Sequence, residues 1–150
     1  MKRLLFLLVF IASLSTAIGQ SKDEDAVKAV LKSYKDKLEK LDTMGVSALF
    51  TSGAKVYEGG NDEGSIQNYL SHHLAPELKQ FKSFTFGDYR IDVKVSGNYA
   101  YVTETYTYTI VMAKDDSQSK SKGVATSVLK KTKDGWKIEM SHSSFRRLKT

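Results

Sequence analysis

Few side chains in this sequence can move a proton or hold a ligand, because it contains no cysteine and only three histidines. At 100° per residue, Ile66, Tyr69, Leu70, His73, Leu74 and Glu77 share one helical arc, with His73 near its middle and His72 outside it. Glu77 lies one turn beyond His73, within side-chain reach. On the two-residue period of a strand, His142 shares a face with Trp136, Ile138, Met140 and Ser144, and Glu104 shares one with Ala100, Val102, Tyr106, Tyr108 and Ile110. A polar group on an apolar face must find a partner, since burying it alone is costly. The pattern therefore predicts that His73 and His142 approach each other, with Glu77 close to His73.

Three kinds of chemistry follow from such a set. A pocket built from Tyr57, Tyr69, His73, Glu77, Glu104, Tyr106 and His142 would be mainly aromatic, with a few polar groups to orient a small molecule. An imidazole, with an ordinary pKa of about 6.5, suits general-base work near neutrality, which makes His73 or His142 the base and Tyr57 the hydrogen-bond donor. Two imidazoles and a carboxylate also suit zinc or a similar divalent ion. That set would be His73, Glu77 and His142, with Glu58 or Glu104 as the fourth ligand, although the spacing matches no established metal motif. The plainer alternative makes both histidines core residues bonded to backbone carbonyls or to a hydroxyl such as that of Tyr57. Tyr57, Tyr106 and Tyr108 equally suit the filling of a sheet. His72 reads as solvated.

The elements that must position these residues are legible from periodicity. Ala26, Val27, Val30, Leu31, Tyr34, Leu38 and Leu41 form one face of a helix from Lys22 to Leu41, with Asp23, Glu24 and Asp25 at its start, where they favour the helix dipole. A short helical piece from Asp42 to Phe50 and a short strand from Ala54 to Glu58 lead to Gly59-Gly60. A second helix is expected from Glu63 to about Gln80, kinked or restarted at Pro76, the single proline. Four antiparallel strands then follow over Phe84–Val95, Tyr99–Met112, Lys122–Thr132 and Trp136–Arg146, with turn signals at Gly97-Asn98, Asp115-Asp116 and Asp134-Gly135. The polar stretch from Lys114 to Ser121 is expected to be a mobile loop.

Lys2-Arg3, an apolar run from Leu4 to Ala12, and small residues at Ala17 and Gly19 have the layout of a secretory leader cut after Gly19. The apolar run is shorter than the roughly 20 residues of a membrane span. The chain is therefore expected to be exported, to the bacterial periplasm or outside the cell, and to have no membrane contact after cleavage. Residues 20–150 suit one domain. Without cysteine, disulfides, thiol catalysis and thiolate metal sites are excluded. Loss of Lys2 and Arg3 with the leader lowers the formal charge from +6 to +4. The remaining cations are dispersed, with no arginine-rich arm, so no nucleic-acid partner is expected.

The order of elements, together with Val56-Tyr57-Glu58-Gly59-Gly60, His72-His73-Leu74-Ala75-Pro76-Glu77-Leu78 and Gly135-Trp136-Lys137-Ile138 through His142-Ser143-Ser144, resembles the SnoaL-like branch of the nuclear-transport-factor-2-like superfamily. The resemblance spans roughly Ala26 to Arg146. It implies an α+β fold in which a strongly curved antiparallel sheet packs against helices as a cone with a pocket at its open end, and pairing of two copies through the sheet. Here that outer face would present Tyr101, Thr103, Thr105, Thr107 and Thr109. The family holds isomerases, polyketide cyclases, dehydratases and non-catalytic binding domains, so the resemblance leaves function open. The paired aspartates of the ketosteroid isomerases have no evident match. The first expectation is a small-molecule-binding domain without an organic cofactor. The alternatives are a cyclase, isomerase or dehydratase with histidine as general base, and a divalent-metal protein.

Overall fold

The computed structural model describes the backbone of residues 2–149 and the side chains of residues 21–149. The expected leader, residues 1–19 with its cut after Gly19, lies outside the residues whose side chains are described. A long helix, α1 (Lys2–Glu39), is followed by a 3-10 turn (Val46–Leu49) and by β1 (Phe50–Glu58) and β2 (Asn61–Ser65). Next come α2 (Ile66–Tyr69), a wide π-turn (Leu70–Leu74), α3 (Ala75–Leu78) and the strands β3 (Phe81–Ser96), β4 (Tyr99–Met112), β5 (Gln118–Thr132) and β6 (Gly135–Arg147). The fold is α+β, with helices packed on one curved, unclosed six-stranded sheet ordered β2-β1-β6-β5-β4-β3. The last four strands are antiparallel neighbours, and β1 joins β6 in parallel. Among the described residues no helix is long and apolar enough to cross a membrane.

The core lies between α1 and the middle of the sheet. Val27, Leu31, Val46, Ile66, Leu129 and Ile138 are its largest fully buried side chains. Trp136 is buried beside them and donates its indole Nε1–H to Asp23 Oδ1 at 3.0 Å, while Lys131 Nζ meets the same carboxylate at 2.7 Å. These contacts fasten the start of the described helix face to the β5–β6 hairpin.

Some boundaries depart from the periodicity. Glu63 belongs to β2 rather than to a helix, and the helix begins at Ile66, where Ser65 Oγ accepts from the backbone N–H of Asn68. The segment restarts at Pro76 as expected, since α3 begins at Ala75 with the proline in its first turn. The turn before it widens, with the Ala75 N–H reaching Leu70 O, and the missing proline donor falls on that widened turn. The loop expected over Lys114–Ser121 shrinks to a short turn, because β5 starts at Gln118.

Candidate functional site

One cavity of about 650 Å³ opens between the helices and the concave face of the sheet. Its volume comes from the size of the residues beneath it. The inward face of β5 reads Ser119, Ser121, Gly123, Ala125 and Ser127 before Leu129 returns to the core, and β6 adds Ser141 and Ser143. Across from this floor, Phe84 and Phe86 of β3 and Tyr106 and Tyr108 of β4 form a continuous set of ring contacts, with centroids 4.9 to 6.2 Å apart. The Tyr106 ring lies over Gly123, its cross-strand partner.

At the open end, His73 is surrounded by carboxylates. Its Nδ1 is 3.1 Å from Glu63 Oε1, and its Nε2 is 3.7 Å from Glu58 Oε2 and 3.6 Å from Glu77 Oε2. Tyr69 donates its hydroxyl to Glu58 Oε2 at 2.8 Å. Burial raises the Glu77 carboxyl above its ordinary range; His73 opposes this, and the charges of Glu58 and Glu63 add to it. Burial also pushes the phenols of Tyr34, Tyr69 and Tyr106 upward, so these hydroxyls stay neutral donors across the physiological range.

At the closed end, Glu104 is a buried acid that takes the Tyr89 hydroxyl on Oε1. Burial lifts its carboxyl above the ordinary range, against the Tyr89 hydrogen bond and the nearby Lys35 charge. The Lys35 ammonium stands 5.3 Å from the Tyr89 ring centroid and 5.6 Å from that of Phe86. Tyr89 reaches this position through a bulge. Gly87 faces Thr107 and Arg90 faces Thr105, so Asp88 and Tyr89 oppose Tyr106 alone, with Asp88 at a φ of 50°.

Of the residues singled out from sequence, Glu58, Tyr69, His73, Glu77, Glu104 and Tyr106 line this one cavity. Tyr57 and His142 do not. Both lie on the opposite, outer face of the sheet, where their rings are 6.4 Å apart and border a shallow depression with Met140 and Thr126. The cause is a bulge in β6. Val128 pairs with Met140 and Leu129 with Ile138, which leaves Glu139 as an extra residue and reverses the faces beyond it. Trp136 and Ile138 point into the core as expected, but Ser141 and Ser143 take the inward positions and His142 turns out. The expected meeting of His73 and His142 does not occur, and the metal set of His73, Glu77 and His142 is not assembled. Among the described residues no group of three or more His, Cys, Asp or Glu side chains is arranged to hold a metal ion.

Sequence reasoning missed Glu63, Lys35 and Tyr89. Glu63 reads as a helix start, whereas the chain there is the strand β2. Gly87-Asp88 is a turn-prone pair inside an otherwise regular strand, a signal for the bulge that carries Tyr89 inward.

A search of curated proteins finds no match. Among solved structures the chain is similar to an NTF2-like superfamily protein from Salmonella enterica, with a TM-score of 0.75 and 17% identity over 87% of this chain and 94% of that one. It is similar to a candidate dehydratase of the NTF2-like family from Streptomyces avermitilis, with a TM-score of 0.75 and 21% identity over 83% and 97%. A candidate ketosteroid isomerase from Shewanella frigidimarina gives a TM-score of 0.66 and 26% identity over 79% and 94%. The SnoaL-like domain profile matches residues 27–147. The chain belongs to the SnoaL-like domain family, within the NTF2-like fold.

Proposed function

We propose that this protein binds a small organic molecule in the cavity, with the His73 group holding its outer end and Glu104 its inner end. The observation that carries the reading is the row of small residues on β5 and β6. Where a packed core would place leucine or phenylalanine, the chain has Ser121, Gly123, Ala125, Ser127, Ser141 and Ser143, opposite an aromatic wall. A cavity of about 650 Å³ with a few convergent polar groups has the size and character of a small-molecule site. Native mass spectrometry of the untagged protein, followed by melts against a compound library, tests it. A ligand should raise Tm in step with its concentration in the wild type. Ala125→Leu, which fills the floor, should abolish the response. Undiminished binding by the filled, folded variant would place the ligand elsewhere.

The approach of Glu63 to His73 Nδ1 supports a second reading, proton transfer. A carboxylate there fixes the ring, and Nε2, on the side of Glu58 and Glu77, is the nitrogen left to act as a general base on a C–H beside a carbonyl. Similarity to candidate dehydratases and isomerases is consistent with it. Tyr57 has no part in this chemistry from the outer face. Deuterium exchange into enolisable ketones, lost in His73→Ala, is the expected signature.

Export and self-pairing belong to the same proposal. The charged, apolar and small-residue layout of residues 1–19 supports export, and intact mass of the recovered protein, beginning at Gln20, tests it. Exposed Tyr101 and Val124 on the outer face support pairing of two copies there, which Tyr101→Glu should abolish in sedimentation measurements.

A further inference from the structure

The protein carries a positive formal charge of +6, yet the open end of its cavity has the opposite sign. Glu58, Glu63 and Glu77 converge on a single histidine, and the charges that bear on Glu77 are those of His73, Glu58 and Glu63. Arg147 lines the exposed rim. A ligand carboxylate or phosphate at the open end would meet carboxylates, and a ligand donor would meet acceptors.

The aromatic wall adds an independent preference. Ring faces attract cations through their quadrupole, most strongly where water is excluded. This wall already holds one ammonium: Lys35 stands over Phe86 and Tyr89 beside buried Glu104. The open end repeats the carboxylates and the rings, since Tyr108 lines the same cavity as Glu58 and Glu77 and its ring lies 6.0 Å from that of exposed Phe145. There no lysine among the described residues joins the carboxylates; His73 stands among them and Arg147 at the rim.

We infer that the ligand is an organic cation, an amine or quaternary ammonium on an apolar body, with its charge between Glu58, Glu77 and the Tyr108 ring. The inference rests on the binding reading above and specifies its ligand class. The body lies along Phe84 and Tyr106, and the serine floor accepts whatever hydroxyl or amide it carries.

Three probes of matched size isolate the charge: 2-phenylethylamine, 2-phenylethanol and phenylacetate, titrated by calorimetry into the full-length protein at low salt. The amine should bind at least about tenfold more tightly than the alcohol, and phenylacetate more weakly than either. Glu77→Gln, at a half-exposed position, should remove most of the preference, and Tyr108→Leu part of it, with the melting temperature of each variant checking that it is folded. Equal binding of amine and alcohol, both lost in Ala125→Leu, overturns the cation inference and leaves the binding reading standing. Tighter binding of phenylacetate overturns it as well. No binding by any probe, while the library yields a neutral or anionic ligand, overturns the inference alone; an empty library result removes the binding reading with it.

Discussion

The ring of Tyr106 lies across the backbone of Gly123 so closely that a methyl group at residue 123 would stand 2.4 Å from Cε2 of the ring. The two residues face each other across β4 and β5, and the absence of a side chain on one lets the other lie flat against the cavity floor. Gly123→Ala should therefore displace the ring into the cavity and destabilise the fold by about 1–3 kcal/mol. Denaturant unfolding of Gly123→Ala, Tyr106→Ala and the double variant checks this, with the double variant expected to be more stable than additivity allows. Strict additivity would mean that the ring does not rest on the glycine.

His73, on the helical segment that lines the cavity, and His142, on the outer face of β6, lie on opposite sides of the sheet, so their substitutions should be independent. His73→Ala is expected to weaken ligand binding in the cavity at least about tenfold, and His142→Ala to leave it unchanged. Their effects on melting should add. Zinc or copper should shift the melt of neither variant differently from the wild type, and a shared loss of metal response would show that the two rings do meet.

Glu104 should make stability fall with rising pH. Its carboxyl is held above the ordinary range by burial, so the folded state keeps a proton that the unfolded chain has already released. Its contribution is complete below the unfolded value of about 4.3 and is lost as pH rises through the folded one. Glu104→Gln should flatten this fall, read as denaturation midpoints between acid and neutral pH. Equal slopes in the two proteins would contradict it.

Trp136 combines a buried ring with one directed bond, to Asp23. Trp136→Ala should cost about 3–5 kcal/mol by leaving a cavity in the core. Trp136→Phe should cost much less, since it keeps an aromatic ring in the core and loses the bond to Asp23. Tryptophan emission of the wild type, blue-shifted and hard to quench, gives an independent reading of burial.

The fold was legible because its signals are long. Four strands of β-branched and aromatic residues and a helix with seven apolar positions on one face tolerate small errors at their ends. The site was legible only in part, and the reason is local. Alternation on β4 runs without interruption from Ala100 to Met112, so Glu104 and Tyr106 were placed on the correct face. On β6 the same rule holds from Trp136 to Ile138 and fails at Glu139, because one extra residue reverses every side chain beyond it. Composition does not mark that bulge. A trace of it lies in the partner strand: with the reversal, Ser141 faces Ser127 and Ser143 faces Ala125, which sets small residues opposite small ones along the cavity floor.

The parallel junction of β1 with β6 governs the order in which the molecule can be made. Phe50 pairs with Ile138 and Tyr57 with His142, so the middle of the sheet joins residues separated by most of the chain. Such pairings are slow to form, because the intervening loop must close before any contact rewards it. During folding, the hairpin of β1 and β2 waits without its central neighbour until β6 is in place. A chain stopped before Gly135 would lack Trp136, Ile138 and the strand that bridges the two parts of the sheet, and should fail to fold. The arrival of β6 beside β1, rather than any earlier stage, is the point at which the sheet can take its native order.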